Sequence, residues 1–316
     1  MKPPSGLARL LRGGRFVVTA ELTGPDSPDP EAVRRAALPL LGCVDAVNCT
    51  DNPGAHVHLS SLALAHLLVE LGLEPVLQLT CRDRNRLALQ ADLLGAAALG
   101  VRNVVLLSGD HMAGGDHPEA KPVYDLDSLQ AIRVARLLVD RGVYLSGRAL
   151  EAAPELFVGC VENPFAPPRE LRPHRLAKKV EAGAEFVQTQ AVFDVAVFRE
   201  FMARVEDLGL LERVFVIPSV CIVRSARGAR FMRDEVPGLV VTDEVVRRLE
   251  GVAPEQQAEE GVRIAVELVH ALREIRGVSG VHLIAVRWSE GVARVVEAAA
   301  LSRLEETAGP ALVQRL

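Results

Sequence analysis

Lysine is scarce in this 316-residue chain, and no part of the sequence is strongly basic. Lys occurs only at positions 2, 121, 178 and 179, and arginine supplies the remaining positive charge. The formal net charge is -5, and the sequence pI is about 6.0. The sequence therefore predicts no broad basic surface, which argues against nucleic acid as a partner.

The sequence also lacks long apolar runs and paired cysteines. The longest apolar stretches, such as 62–73, are too short and too interrupted by His and Glu to span a membrane. The five cysteines are an odd number and form no CxxC pair. No signal peptide is recognisable, so we expect reduced thiols in a cytoplasmic protein. Hydrophobic residues make up 49% of the chain, and we expect one domain over residues 1–316.

Short β-prone segments alternate with longer helical segments along the chain. The predicted strands are 15–22, 44–49, 75–80, 103–108, 156–161, 185–189, 213–218 and 281–287. Apolar residues at i, i+3, i+4 spacing predict helices between them, at 29–41, 58–72, 84–99, 127–141, 170–182, 194–208 and 224–233. A helix pair is predicted over 243–276 and a last helix over 290–304, and the tail beyond Glu306 is predicted to fray.

Eight strands that are each followed by at least one helix predict an α/β fold, the (β/α)8 TIM barrel, with extra helices before the last strand. An open, doubly wound sheet is the alternative. No GxGxxG follows the first strand, and polar residues recur at the carboxyl ends of many strands rather than at one switch point. Both observations favour the barrel, whose active sites are built on the rim formed by those strand ends.

The segment GRFVVTAELTGP (14–25) contains a carboxylate inside an apolar strand. Alternation places Val17, Thr19 and Glu21 on one face, and the neighbouring apolar residues on the other. The mixed face is predicted to point into the barrel. A carboxyl group removed from water can hold a proton and act as a general acid, which is the role we favour for Glu21. The alternative is an outward carboxylate that is salt-bridged to a helix.

Other strand ends carry polar residues that have both a structural and a functional interpretation. Asp110 follows Gly109 after an apolar strand, and it is either a turn or cap residue or a site residue. Gln190 is either a loop amide that hydrogen-bonds to backbone groups, or an amide that hydrogen-bonds to the donors and acceptors along the edge of a heterocyclic ligand.

For the charged and thiol groups near the rim, we favour structural roles over ligand binding. The charge run RDRNR is predicted to be the solvated first turn of a helix, with Asp83 as a cap and phosphate binding as the alternative. Lys179 is placed on an exposed helical face, with a rim phosphate as the alternative. His111 and His117, with their neighbouring aspartates, lack zinc-site spacing, so no metal is predicted. The cysteines near strand ends are interpreted as packing residues rather than cluster ligands.

An ordered set of motifs resembles the methylenetetrahydrofolate reductase family from about residue 6 to residue 304. The motifs are VTAEL, DAVNCTDN, LTCRDRNR, LLSGDH, KKVEAGAEFVQTQAVFD and GVHLIAV. The stretch GDHPEAKPVYDLDS is similar to the short form that is associated with the acetyl-CoA pathway. Where the better-studied branch usually has His, Arg and Tyr, this sequence has Gln78, Ser108 and, near the last position, Cys160.

The resemblance implies a flavin-dependent barrel enzyme of one-carbon metabolism and methionine biosynthesis. It would transfer hydride between reduced flavin and 5,10-methylenetetrahydrofolate, giving 5-methyltetrahydrofolate. In that enzyme Glu21 is the general acid, Asp110 lies near flavin and pterin with a catalytic role, and Gln190 contacts the pterin. The implied flavin contacts are Thr50, Asp51, Gln78, Ser108, Gly109, Asp110, Tyr124, Asp125, Cys160, Asn163 and Lys179.

The same resemblance implies partners that the residues alone do not define. FAD is favoured over FMN, and NAD(P)H or an electron-donating partner subunit is the expected electron source. A homo-oligomer is also expected. Two other functions stay open: a pterin-barrel methyltransferase that serves a corrinoid partner, and a flavin- or folate-binding subunit of a larger electron-transfer complex.

Overall fold

The computed structural model describes residues 4–301, and its strands form a closed barrel of eight parallel strands in chain order. The barrel closes where β1 pairs with β8, with Val17 opposite Gly280. The (β/α)8 prediction is confirmed, and the open doubly wound sheet is wrong. The strands are β1 Val17–Leu22, β2 Ala46–Cys49, β3 Pro75–Thr80, β4 Asn103–Leu107, β5 Phe157–Glu162, β6 Phe186–Ala191, β7 Phe215–Cys221 and β8 Gly280–Ile284.

One helix precedes the first strand, and the other helices follow the strands around the outside of the barrel. They are α1 Gly6–Arg12, α2 Pro30–Ala37, α3 Ser61–Glu70, α4 Arg86–Ala98, α5 Ser128–Arg136, α6 Arg172–Glu181, α7 Val195–Asp207, α8 Ala226–Glu235, α9 Asp243–Glu250, α10 Gln257–Arg273 and α11 Ser289–Ala298. The extra helices predicted before the last strand are α9 and α10. Sequence periodicity did not predict α1. The last residues of the helix predicted over 290–304, and the tail beyond Glu306, lie outside the described residues.

The two faces of the strands pack into two separate apolar clusters. The helix-facing side chains, including Val18, Ala20 and Leu22, join the large cluster beneath the helices. The lower lumen-facing side chains form a second cluster with Leu7 and Leu11 of α1, which closes the amino-terminal end of the barrel. That closed end leaves the carboxyl ends of the strands as the open rim.

A glycine makes the closed end compact. Phe157 and Phe186 stack with ring centroids 4.8 Å apart inside the lumen. A Cβ on Gly159 would lie 2.3 Å from the Phe186 ring, so only glycine leaves space for this aromatic side chain. The lower lumen is therefore a packed core, and polar chemistry is restricted to the levels above it. Over residues 4–301, none of the helices has the length and apolar character needed to cross a membrane.

Candidate functional site

Four buried polar side chains meet in the lumen directly above the apolar plug. The amides of Asn48 and Gln188 form a reciprocal pair, with N–O distances of 2.6 and 3.0 Å. Because β2 and β6 lie far apart around the closed barrel, this pair crosses the lumen. Thr19 Oγ1 and His282 Nδ1 are 2.9 Å apart, and Gln188 Nε2 lies 3.3 Å from the former and 3.4 Å from the latter. We call these four residues the polar floor.

Glu21 lies one level above the polar floor, on the lumen side of β1 that alternation predicts. Its side chain is 25% exposed, and its Oε2 is 3.8 Å from Nε2 of His282. Burial raises the pKa of the Cys221 thiol to about 12, and the charge of Glu21 adds to that shift. Glu21 thus has water on one side and a buried imidazole on the other, as a group that exchanges protons with a ligand requires.

Asp110 follows β4 at the open rim, and its carboxylate is exposed. Its Oδ2 accepts a hydrogen bond from the backbone N–H of Gly54 at 2.7 Å, and its backbone oxygen accepts one from Arg82 at 3.3 Å. Gly109 has a φ of +90°, and a Cβ there would lie 3.0 Å from the Cβ atoms of Thr80 and Arg82. Gly109 therefore permits the close turn that presents Asp110 at the rim.

Asp51 is a buried anchor at the carboxyl end of β2. Its carboxylate accepts hydrogen bonds from Ser61 Oγ at 3.1 Å and from both the backbone N–H and Oγ1 of Thr80 at 2.8 Å. Arg84 donates to both oxygens, at 2.5 and 3.2 Å. These bonds connect the ends of β2 and β3 to the start of α3. A contact between Asp51 and a flavin stays a prediction.

The charge run RDRNR is not the solvated first turn that the sequence predicts. Arg82 is buried, and its guanidinium donates to both carboxylate oxygens of Asp83 and to the backbone oxygen of Asn52. Arg84 is half-buried in its own ion pairs. The helix cap is Asn85, whose side chain accepts from two backbone N–H groups, and not Asp83. The prediction failed because Arg82 pairs with its neighbour Asp83 and bonds backbone oxygens of other loops, while Arg84 pairs with Asp51 and Asp92.

Lys179 is buried in an ion pair, so the predicted exposed helical face is wrong for this residue. Its Nζ lies 2.8 Å from Oε2 of Glu162 and 2.5 Å from the backbone oxygen of Val161. The side chains of Lys179 and Glu162 are only 8% and 2% exposed. Asn163 donates its own N–H to Glu162 and its Nδ2 to the backbone oxygen of Gly238. The flavin contacts of Lys179 and Asn163 stay predictions.

The other predicted flavin contacts on this side of the barrel are more open, except for Thr50, which is buried. Ser108 is exposed and Gln78 is half-buried on the lumen side of β3. Thr50 Oγ1 donates to Thr23 Oγ1 at 3.2 Å. Tyr124 is 43% exposed and its backbone N–H donates to the oxygen of Cys81. Together with Gly109 and Asp110, these residues lie along the carboxyl ends of β2, β3 and β4, and we call this set the arc.

Asp125 forms an exposed ion pair at the edge of this arc. Arg86 donates from its backbone N–H and its guanidinium to the Asp125 carboxylate, with all three distances 2.8 Å. These bonds lower the pKa of Asp125 from its ordinary value of 3.8 to about 2. The pair thus holds the start of α4 against the loop that follows Tyr124.

The low pKa of Asp125 predicts a pH-dependent contribution to stability. A carboxyl whose pKa is lowered by folding stabilises the fold above its unfolded value of 3.8, and this stabilisation is lost as pH falls toward about 2. Asp125→Asn should therefore lower Tm at pH 6, with a difference from wild type that shrinks between pH 5 and pH 3. Differential scanning calorimetry at both ends of that range measures it, and a constant difference contradicts the prediction. Asp92→Asn, at the carboxylate partner of half-buried Arg84, is the matched comparison.

Cys160 is the predicted site residue that the structure does not bring to the rim. It is fully buried in the helix-facing cluster, and burial raises the pKa of its thiol to about 12. The five cysteines are all free thiols, and those on β2 and β5 point away from the lumen. Across residues 4–301, no group of three or more His, Cys, Asp or Glu side chains is arranged to hold a metal ion.

Gln190 lies at the end of β6, where the pairing with β7 shifts register after Gln188. Its side chain is half-buried, and its Oε1 accepts the backbone N–H of Ala191 at 3.0 Å. The structure therefore presents Glu21, Asp110 and Gln190 from three different strand ends around one opening.

The sequence interpretation missed His282 as a site residue. The motif GVHLIAV carries a histidine inside an apolar strand, which is the same kind of signal that singled out Glu21. Its pairing opposite Thr19 in the β1–β8 register shows that it shares the lumen face. Arg82 was missed as a buried anchor for a different reason, because its partners come from distant loops.

Comparison with known proteins gives one family match over nearly the whole chain. The family described as methylenetetrahydrofolate reductase matches residues 7–300. A Caenorhabditis elegans protein named probable methylenetetrahydrofolate reductase (NADPH) is 24% identical over 78% of the chain and 35% of its own length. Methylenetetrahydrofolate reductase 2 of Schizosaccharomyces pombe is 25% identical over 75% of the chain and 37% of its own length. The chain thus spans about a third of the length of these curated relatives.

Solved structures share the fold at low sequence identity. A Clostridium thermocellum protein, described as binding two copies of 5-methyl-5,6,7,8-tetrahydrofolic acid, has a TM-score of 0.65 at 13% identity, covering 94% of this chain and 100% of that chain. EDTA monooxygenase (EmoA) from Chelativorans sp. BNC1 has a TM-score of 0.53 at 9% identity, covering 92% and 95%. At these identities the likeness extends to the barrel alone.

Proposed function

The chain belongs to the methylenetetrahydrofolate reductase family, and we propose that it transfers hydride from a reduced flavin to 5,10-methylenetetrahydrofolate, giving 5-methyltetrahydrofolate. The observation that carries the proposal is Glu21, a carboxyl on the lumen side of the rim with a quarter of its side chain exposed. The curated relatives are more than twice as long, so the proposal concerns the chemistry of this barrel. A solved structure of the same fold that is described as binding 5-methyltetrahydrofolate supports a folate substrate.

Glu21 would supply the proton that opens the five-membered ring of the substrate. Its carboxyl protonates N10 as the bond between N10 and the bridging carbon breaks, which leaves an iminium at N5 and a carboxylate on Glu21. Hydride then adds to the bridging carbon and gives the methyl group. The closed lower lumen limits water on one side of Glu21, and its exposed side allows a new proton to arrive from solvent.

Asp110 and Gln190 would bind the pterin ring and hold it against the hydride donor. The pterin presents N–H donors and a carbonyl acceptor along one edge, which match a carboxylate and an amide. The hydrogen bonds of Asp110 to Gly54 and Arg82 restrain its position, and a charged carboxylate that accepts from the pterin would also favour the developing iminium.

The arc along β2 to β4 would contact the edge of a planar flavin ring. Gln78, Ser108 and Tyr124 offer amide and hydroxyl groups beside the Gly109 turn, while Thr50 and Asp51 hold the strand ends in place. A bound flavin would supply the hydride and accept electrons from its donor. Lys179 already makes two hydrogen bonds, so the negative charge of a cofactor tail would have to share its ammonium. Asn163 and Asp125 flank this region.

The further assignments are part of the same proposal. We propose FAD as the flavin, NAD(P)H or a partner subunit as the electron source, and one catalytic barrel domain over residues 1–316. Assembly into a homo-oligomer in the cytoplasm is also proposed.

An absorption spectrum of the purified protein tests the reductase proposal directly. We expect flavin bands that bleach on photoreduction and return when 5,10-methylenetetrahydrofolate is added without oxygen. A protein that neither contains nor binds FAD or FMN would contradict the proposal. So would methyl transfer to a corrinoid without any change in the flavin bands. Mass analysis of the extracted flavin, and reduction by NADH compared with NADPH, would identify cofactor and donor.

A further inference from the structure

His282 lies under Glu21, and a buried hydrogen bond holds the orientation of its ring. Its Nδ1 is 2.9 Å from Thr19 Oγ1, so the ring cannot turn without breaking a buried hydrogen bond. Gln188 Nε2 lies 3.3 Å from Thr19 Oγ1 and 3.4 Å from Nδ1, so both an amide hydrogen and the threonine hydroxyl hydrogen are available to Nδ1 as an acceptor. With Nδ1 as acceptor, a neutral His282 carries its proton on Nε2, the atom that faces Glu21.

The polar floor holds this arrangement through side chains that carry no charge. Gln188 is itself held by the reciprocal amide pair with Asn48, whose two distances are 2.6 and 3.0 Å. All of the floor residues are buried, and His282 is only 3% exposed. A buried network whose members are all hydrogen-bonded is rigid and specifies one geometry. The network therefore sets where the Nε2 proton of His282 points.

We propose that His282 is the positioning residue of the general acid, donating its Nε2 hydrogen to the Glu21 carboxylate as Glu21 gives up its proton. This role rests on the proposed function. The present Nε2–Oε2 distance of 3.8 Å is too long for a hydrogen bond, and catalytic bonds commonly tighten once the substrate is bound. The bond would be strongest when Glu21 is charged, and it therefore stabilises the transition state more than the ground state.

Two substitutions of His282 separate this role from simple packing. His282→Leu removes the donor, and we expect the rate of flavin reoxidation by 5,10-methylenetetrahydrofolate to fall roughly 30-fold, less than the ~100-fold or more that is typical of a donor at the reacting oxygen. His282→Gln keeps an N–H near the Nε2 position and should recover most of that rate. Flavin binding, photoreduction and the KM for folate should stay near wild type in both variants.

Ser219→Ala is the matched control at the same level of the barrel. Ser219 pairs with His282 in the β7–β8 register and is buried, but its hydroxyl donates to the backbone oxygen of Thr189 and not toward Glu21. This variant should keep the wild-type rate of reoxidation. The positioning role is wrong if the flavin of His282→Leu is reoxidised by folate as fast as that of Ser219→Ala. It is also wrong if flavin reoxidation in His282→Gln is as slow as in His282→Leu.

A measurement without folate keeps the inference independent of the proposed function. In protein labelled with ¹⁵N-histidine, the His282 signals, assigned by their loss in His282→Gln, should show hydrogen on Nε2 and none on Nδ1 at neutral pH. Hydrogen on Nδ1 would overturn the inference. The wild-type protein could show the expected tautomer while its reduced flavin is not reoxidised by 5,10-methylenetetrahydrofolate. That outcome would contradict the reductase proposal instead.

Discussion

Replacing Glu21 by Gln should leave flavin binding intact and slow folate reduction by about 100-fold or more, the loss expected when a general acid is removed. Glutamine keeps the volume and a hydrogen-bonding end at the rim, so the loss reports the missing proton rather than a cavity. Anaerobic stopped-flow mixing of the photoreduced protein with 5,10-methylenetetrahydrofolate measures the step directly. The absorption spectrum and photoreduction serve as internal checks, because neither requires the acid.

Glu290→Gln is the matched control for this experiment. Glu290 lies in the first turn of α11 and lines the same cleft as Glu21, together with Pro25 and Arg287, but its side chain is exposed. The same loss of charge at Glu290 should leave reoxidation within about twofold of wild type. Near-wild-type turnover of Glu21→Gln would remove Glu21 from its assigned role. Equal losses in both variants would point to the charge of the cleft as a whole.

Replacing Lys179 by Met should lower the free energy of unfolding by about 3 kcal/mol, because removing one partner of a buried pair leaves the other charge uncompensated. The Glu162 side chain is only 2% exposed, and the next cation, Arg172, lies 3.8 Å from its other oxygen. Methionine fills a volume similar to that of lysine, so packing is largely preserved. Urea unfolding followed by circular dichroism, with equal m values, measures the difference.

The neighbouring lysine supplies the control for this prediction. Lys178 is exposed on the same helix, and Lys178→Met should change the free energy of unfolding by no more than about 0.5 kcal/mol. The double variant Lys179→Met with Glu162→Gln should recover part of the loss, since both buried charges are then absent. Equal stability of the two lysine variants would show that the buried pair does not support the fold.

The barrel and the site of Glu21 were predictable because their signals are local. Alternation along β1 places Glu21 on the face of Val17 and Thr19, and the observed lumen contacts agree. Helix caps at Asp29, Asp127 and Asp194 are equally predictable, since each carboxylate accepts a hydrogen bond from a backbone N–H within three residues. The same alternation, applied to β8, would have singled out His282.

Charged residues near the rim were predicted less well. Lys179 and Arg82 belong to polar segments that look solvated in the sequence, yet both side chains are buried, Lys179 against Glu162 and Arg82 beside Asp83. The family resemblance predicted that Cys160 contacts the cofactor, whereas its position in β5 places its side chain on the face that packs against the helices. Local composition describes the average exposure of a segment and does not identify the one residue that is turned inward.

The sequence by itself determined the closed barrel, its open rim and the presence of a carboxyl on the lumen side, because hydrophobic periodicity is a local property of consecutive residues. Only the tertiary structure decided which groups meet there. Asn48 and Gln188 are 140 residues apart, and Thr19 and His282 are 263 residues apart. Barrel closure brings such pairs within hydrogen-bonding distance, and no local pattern records a contact between strands that are so distant in the chain.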